Sequence, residues 1–486
     1  MPHIVKSDQC IVSYDSTGRR RGPCASKTEM LKRLGWSVYL AQQVAAARRM
    51  DLRDANALRQ RQERNIQRIV RHAYSTVPFY AETMQRRGLT PAAIQTAEDL
   101  AKLPIVEKSF LQKDPEYFLS RAVRRDHCLA LRSSGSSGTP KTIWHDAAAI
   151  FQNAAHGERD RAAIAKKIGR WTGYRETVIV APIDASQPAV QSFVRTNALF
   201  PGPLRVQRQY LYLSDPPEQN LRAMNEFRPD LLYSYGSYVE MLYRRFSGGD
   251  VAWHFPKAIL FSSDRLSPSI RLLLTKELGI SVFSVYGAVE ALKIGFECDE
   301  QKGYHINSDL YPVRVVDEDG MPRRMGEAGQ VIVSNLVNRA TVLLNYRLGD
   351  LAHWIGGPCP CGLALPLLSP PIGRIDDVIE LGNGTVVHPM ALREICLQHS
   401  HILQYQIRQV ASTRFLVSLI AAREADLPNL VSAIRAGFER RFGDGLTAEV
   451  RCVQELDRNP SGKTPTVIAL QKNVSPEECE PRRTQQ

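Results

Sequence analysis

The chain has 486 residues, 43% hydrophobic and 23% charged, with 31 Gly and 29 Pro; this excludes disordered and fibrous classes and leaves room for two or three domains. Lys and Arg exceed Asp and Glu by 13, but residues 1–75 alone hold fifteen Lys or Arg against six Asp or Glu. The remainder is nearly balanced, so the charge does not describe a chain-long basic surface. Aromatic residues are not interleaved with these arginines, as stacking on single strands would require. A solvated helical face explains the excess, with a polyanionic partner, a nucleotide included, as the other reading.

The start, Met1-Pro2-His3-Ile4-Val5-Lys6, lacks the apolar stretch of a secretory signal. The best apolar run, Phe415 to Ala422, is closed by Arg423 and is too short for a membrane span. A soluble chain in a reducing, cytoplasmic setting is expected, and its nine cysteines are not read as disulfides. Residues 1–26 show no period and read as a loose lead-in. From Thr28 to Tyr74, apolar residues at three- and four-residue steps, such as Ile66, Ile69, Val70 and Tyr74, predict helices. Beyond Pro104, short β-branched runs alternate with helical patterns: Thr177 to Val180, Ala258 to Phe261, Val282 to Tyr286. That alternation predicts an α/β body. Between Leu310 and Val333 a strand, the charged turn Asp317-Glu318-Asp319-Gly320 and a second strand predict an antiparallel hairpin.

A boundary falls near Gly373-Arg374. Residues 27–373 form the large N-terminal domain of this reading and residues 377–472 a small α+β domain. The latter runs helix Met390 to Ser400, strands Tyr405 to Val410 and Phe415 to Ala421, helix Leu427 to Phe442 and strand Ala448 to Val453. Residues 473–486, almost without apolar side chains, read as a disordered tail. The fold class is α/β: a large body with a helical N-terminal region, plus the small C-terminal domain.

The segment Arg132-Ser133-Ser134-Gly135-Ser136-Ser137-Gly138-Thr139-Pro140-Lys141 carries the strongest chemical signal. Small residues let backbone N–H groups crowd around phosphate oxygens, and Lys141 adds charge. It is not a Walker A loop, because Gly-x-x-x-x-Gly-Lys-Ser/Thr does not occur. Taken alone it also fits a flexible linker. Downstream, in order, come Tyr286-Gly287-Ala288-Val289-Glu290, Tyr346-Arg347-Leu348-Gly349-Asp350, Gly373-Arg374-Ile375-Asp376-Asp377 and Pro460-Ser461-Gly462-Lys463.

Together these segments resemble the motifs of the adenylate-forming enzyme superfamily. Residues 72–80 and 99–108, Cys298 to His305 and Cys359-Pro360-Cys361-Gly362 extend the resemblance to the phenylacetate–coenzyme A ligase and coenzyme F390 synthetase group. Ser-Ser-Gly-Thr-Pro after Gly135, and Ser262-Ser263-Asp264, depart from the usual pattern.

The resemblance implies an ATP-dependent ligase that converts a small, aromatic carboxylic acid to its acyl-adenylate and then to the coenzyme A thioester. Alternatives are transfer to an amine or a carrier-protein thiol, transfer of AMP to a hydroxyl, or, in another class, a basic nucleic-acid-binding protein. It further implies that residues 133–141 hold the β- and γ-phosphates, that Tyr286, Gly287 and Arg374 flank the nucleotide, and that Glu290 helps hold Mg²⁺. Asp350 would accept from the ribose hydroxyls, Lys463 would neutralise charge between carboxylate and α-phosphate, and Asp376 would be the hinge. Tyr235 and Gly236, after an apolar run, are the candidates for the acid pocket, and a homodimer is allowed for.

Cys298, His305, Cys359 and Cys361 supply three thiols and an imidazole, the donor set of a closed tetrahedral zinc site. The irregular intervals fit buried thiols around a core His as well. Some members of the resembling group carry a metal at comparable positions, which implies structural zinc.

Overall fold

The computed structural model describes residues 13–14, 20–21, 27–132, 141–180, 186–199, 206–213, 215–246, 253–374, 379–382, 386–387, 392–393, 395–396, 398–399, 401–422, 424–443, 446–458 and 464–470. Within the stretch read as a loose lead-in, Ser13–Tyr14 pairs antiparallel with Arg20–Arg21. The expected helical region is two helices, Lys27–Arg49 and Ala55–Thr76. The second starts where the Asp54 carboxylate accepts from the Asn56 and Ala57 N–H groups. Its apolar stripe, Ile66, Ile69, Val70 and Ala73, is buried against Leu336, Val342 and Leu344 of the body. Part of the N-terminal charge is spent internally: Arg61 pairs with buried Asp309 at 3.3 Å, and Arg48 with Glu158 at 2.8 Å.

The three apolar runs read as strands all belong to a nine-stranded sheet among the described residues. Its order is Trp354–Ile355, Leu367–Leu368, Tyr304–Ile306, Leu292–Phe296, Ser281–Ala288, Ala258–Ser262, Leu231–Tyr235, Arg175–Val180, Gln207–Tyr212. The last five run parallel and the first four join antiparallel. Helices Pro217–Phe227, Gly236–Phe246 and Pro268–Lys276 cover the parallel part, burying Leu221, Met224, Tyr238, Leu242, Ile270 and Leu274 against Val178, Leu232, Ile259 and Val282. Continuous apolar runs rather than alternating ones are what a sheet covered on both faces selects.

The expected hairpin is Val313–Val316 with Gly329–Val333, and Tyr346–Ala352 and Gly373–Arg374 extend it to a four-stranded antiparallel sheet. Asp317 shapes the turn, its Oδ1 accepting from the Asp319 and Met321 N–H groups while Gly320 takes φ +83°.

Toward the C-terminus, Ile402–Ala411 and Arg414–Ala421 pair antiparallel, Thr447–Cys452 adds in parallel, and helix Leu427–Phe442 packs Ile434 and Phe438 onto Phe415, Val417 and Leu419. The expected order is seen within these elements, with two additions: Ile379–Glu380 pairs antiparallel with Val386–Val387 ahead of them, and Val467–Ile468 pairs parallel to Ile407 and Arg408. Two residues on an edge are too short for a pattern of alternation to mark. Of the helix expected at Met390 to Ser400, residues 392–393 and 395–396 are helical and the rest lies outside the described residues. The tail from 473 also lies outside them. No helix among the described residues is long and apolar enough to cross a membrane.

Strand Leu231–Tyr235 passes directly into helix Gly236–Phe246. A Cβ on Gly236 would meet the Arg265 carbonyl carbon and the Leu266 nitrogen at 2.5 Å, and neither backbone can step aside cheaply. Gly236→Ala is expected to lower unfolding stability by about 1–3 kcal/mol, measured by urea titration. An unchanged midpoint would contradict this packing.

Candidate active site

The parallel strands end together at Tyr235, Ser262 and Ala288, and the carboxyl edge of such a sheet is where open α/β folds place ligands. Next to this edge stands the hairpin Cys128–Arg132 with Thr142–Asp146, in which Arg132 faces Thr142. The ladder holds Arg132 and Thr142 opposite each other, about 5 Å apart. Ser133, Ser134, Gly135, Ser136, Ser137, Gly138 and Thr139 lie outside the described residues, as do Asp376 and Lys463.

Lys141 is described, and it points inward. Its ammonium forms an ion pair with Glu290 Oε1, donates to the Tyr346 hydroxyl at 2.5 Å and lies 5.0 Å from the centre of that ring. The lysine and the carboxylate are 8% and 5% exposed. Burial drives the Glu290 carboxyl upward, the Lys141 ammonium drives it down, and the balance falls below the ordinary glutamate value. Glu290 is therefore ionised at neutral pH, as a cation ligand must be.

The peptide around Glu290 is fixed from both sides. Wholly buried His145 donates from Nε2 to the Val289 carbonyl at 2.8 Å, and Asn335 Nδ2 donates to the Glu290 carbonyl at 2.9 Å. Burial pushes the His145 imidazole down to about 4, so it stays neutral at physiological pH.

Tyr286 and Asp350 meet as well. The tyrosine hydroxyl donates to Asp350 Oδ2 at 2.8 Å, and its ring stacks on Tyr304 with centroids 5.6 Å apart. Asp350 sits opposite Arg374 in the ladder of Tyr346–Ala352 with Gly373–Arg374, so strand register brings two motifs together. At Gly287 a Cβ would meet the Leu292 carbonyl oxygen at 2.7 Å, which keeps that return free of a side chain.

The structure thus brings Lys141 to Glu290, Tyr286 to Asp350, and the Arg374 backbone to Asp350. Tyr235 is 3% exposed and packs in the core of the parallel strands. Beside it, Asp264 accepts from the Ser237 N–H at 3.1 Å and from its hydroxyl at 2.5 Å, binding the start of helix Gly236–Phe246 to the strand end. Ser263, in between, takes φ +72°. On the approach to Asp376, the Pro371 and Ile372 carbonyls accept from Arg265 and Arg393.

Sequence reasoning missed Tyr346, although it opens a motif quoted for Asp350, because 205 positions separate it from Lys141. It also missed His145, which carries no local signal beyond an inward place on a short strand.

The three thiols and the imidazole converge. Cys298 and Cys359 Sγ are 3.7 Å apart, and His305 Nε2 lies 3.3 Å from the sulfurs of both Cys298 and Cys361. All four ligand atoms fall within 4.8 Å of one another. A tetrahedron with bonds of about 2.3 Å to sulfur and 2.0 Å to nitrogen has edges of about 3.5–3.8 Å, so the donor set fits a metal of that size. Burial pushes the Cys298 thiol up to about 12 and the Cys361 thiol upward. Without a cation this corner therefore favours protonated thiols.

No protein-family model matches the chain. It is 25% identical over 368 residues to the phenylacetate–coenzyme A ligase of Thermus thermophilus, covering 72% of this chain and 78% of that one. In fold it matches 2-hydroxyisobutyryl-CoA ligase in the postadenylation state with a TM-score of 0.67 at 17% identity, covering 86% and 89% of the two chains. The same ligase in the thioesterification state, with 2-HIB-AMP and CoA, gives a TM-score of 0.55 at 16% identity, over 86% and 91%. The fold is shared with 2-hydroxyisobutyryl-CoA ligase, and the sequence and fold comparisons together support the adenylate-forming superfamily. Within it, the chain is similar to the phenylacetate–coenzyme A ligases, as its motifs imply.

Removing the Lys141 ammonium leaves Glu290 buried without its main counter-charge. Lys141→Met is expected to lose about 3–5 kcal/mol, and Lys141→Met with Glu290→Gln to recover most of it, both read by chemical denaturation. Equal losses in the two variants would contradict the pairing.

Proposed function

We propose that the chain is an ATP-dependent acid–thiol ligase. It activates a small aromatic carboxylic acid as the acyl-adenylate, with release of pyrophosphate, and transfers the acyl group to coenzyme A. The observation that carries this is the gathering of four motif residues, Lys141, Glu290, Tyr286 and Asp350, along one sheet edge next to the hairpin Cys128–Arg132 with Thr142–Asp146.

A carboxylate is a poor electrophile. Its oxygen attacks the α-phosphorus of ATP, the bond to pyrophosphate breaks, and the mixed anhydride keeps the acyl carbon open to the coenzyme A thiolate, whose attack breaks the acyl–phosphate bond and releases AMP. Several negative oxygens must be gathered for the first step. Residues 133–141 are assigned to the β- and γ-phosphates, where the triphosphate offers Lys141 a second anionic partner beside Glu290. Asp350, held in one orientation by the Tyr286 hydroxyl, accepts from the ribose hydroxyls, and Arg374 flanks the nucleotide. Magnesium, when bound with the nucleotide, would use the Glu290 carboxylate and supply charge neutralisation at the phosphates.

Lys463 comes in from the small unit and meets the charge growing between carboxylate and α-phosphate; a point charge on a flexible stem suits that position. Asp376 is the hinge about which this unit turns to admit the thiol. The acid lies at the carboxyl ends of the parallel strands, near Tyr235 and Gly236. Zinc at Cys298, His305, Cys359 and Cys361 is structural, cross-linking strand Tyr304–Ile306 to the turn before Leu367–Leu368. Reduced thiols of this kind suit the cytoplasm, where we place the chain.

Pyrophosphate exchange with a panel of aryl and alkyl acids tests the activity. Carboxylate-dependent exchange is expected, falling at least about 100-fold in Lys463→Ala; no exchange with any acid would overturn the reading. Metal analysis of the purified protein should find about one zinc per chain. Cys298→Ser should lose the metal and melt earlier, whereas a metal-free wild type of normal stability would remove zinc from the account.

A further inference from the structure

The described residues on either side of Lys463 are tied together through the side chain of Gln406. Gln406, 2% exposed, donates from Nε2 to the Asp457 carbonyl at 2.9 Å and to the Pro465 carbonyl at 3.1 Å. Both ends of the intervening segment are thereby drawn onto one amide. Arg408 adds a bond to the Asp457 carboxylate at 3.0 Å, and the Ile407 N–H donates to the Thr466 carbonyl at 2.9 Å.

From this base Arg458 crosses to the large unit. Its Nη1 donates to the Ser237 hydroxyl at 3.3 Å, and its guanidinium carbon lies 5.6 Å from the centre of the Tyr238 ring. Neither surface is loose. Ser237 is bound by Asp264 through both its hydroxyl and its N–H, and Tyr238 is 1% exposed with its hydroxyl accepting from Asn220 at 2.8 Å. A planar cation that stacks on a ring while donating at its edge is a contact that lysine reproduces only in part. Lys463 is five positions on from Arg458, a tether of at most about 18 Å.

We propose that Arg458 is a positioning residue: it fastens the Lys463-bearing segment to the Ser237–Tyr238 corner while the adenylate forms, and lets go when the small unit turns to admit the thiol. The inference rests on the adenylation reading and adds to it a contact that no motif assigned. It predicts that the two half-reactions respond differently. Adenylation needs the fastener, whereas thioester formation takes place after release.

The test compares wild type, Arg458→Ala and Arg458→Lys in pyrophosphate exchange and in thioester formation from supplied acyl-adenylate and coenzyme A. Exchange is expected to fall about 10–100-fold in Arg458→Ala and less in Arg458→Lys, while thioester formation stays within about two-fold of wild type. Unchanged exchange, or an equal fall in both half-reactions, overturns the proposal. A lysine-specific protease gives a reading independent of activity: cleavage after Lys463 in the nucleotide-free protein should quicken in Arg458→Ala, and an unchanged cleavage rate also overturns it. If wild type exchanges with no acid, the activity reading fails, and the protease result still decides whether Arg458 fastens the segment.

Discussion

One buried ion pair sets the constraint on which the site depends. Taking an ammonium and a carboxylate out of water is unfavourable by several kcal/mol each, so Lys141 and Glu290 are stable there only if each finds the other in good geometry. That condition fixes three pieces of chain at once: the hairpin leading out of Lys141, the tight return that carries Glu290, and the start of strand Tyr346–Ala352, whose tyrosine hydroxyl completes the cluster. His145 and Asn335 hold the return from the two sides of its peptide. The strand that begins at Tyr346 then places Asp350 four residues on, within reach of Tyr286 and opposite Arg374. Residues from four separated motifs thus become one surface because the charge pair admits few arrangements.

Much of the scaffold was legible in the sequence. Apolar runs of four or five residues marked three of the five parallel strands, because a sheet covered by helices on both faces selects them. The helix Leu427–Phe442 lies where it is expected, and the structure adds its cap: the Asp426 carboxylate accepts from the Asn429 N–H. What periodicity could not give was pairing. Nothing local says that Lys141 turns to Glu290 and Tyr346 rather than outward, and the edge strand Val467–Ile468 is too short to carry a pattern.

The metal corner makes the same point. Cys298 and Cys359 are 61 positions apart, and the interval looks unlike a zinc finger because no compact loop encloses the site. Sheet register assembles it instead: His305 lies opposite Leu367, and Leu367 opposite Ile355, so the turn bearing Cys359 and Cys361 is brought over the strand that holds the imidazole. Spacing rules learned from small zinc domains cannot see an interval that is closed by strands.

On the proposed reading the chemistry divides between a rigid part and a swinging one. The groups proposed to hold the nucleotide, Lys141, Glu290, Tyr286 and Asp350, sit on strands and returns locked by buried hydrogen bonds, which suits a site where small displacements weaken catalysis. The ammonium proposed to complete the site, that of Lys463, follows Arg458 by five positions in the sequence, and Gln406 bonds the carbonyls of Asp457 and Pro465 on either side of it. On the proposed reading such an arrangement lets one chain present two faces to the same intermediate in turn.

The central claim is that these residues surround a single acyl-adenylate. A crystal structure with a non-hydrolysable acyl-adenylate analogue measures it most directly. The account predicts ribose hydroxyls on Asp350, the oxygens that replace the α-phosphate between the Lys141–Glu290 cluster and Lys463, and the acyl group at the ends of the parallel strands. An analogue bound elsewhere, with Asp350 and Lys463 both out of contact, would contradict it.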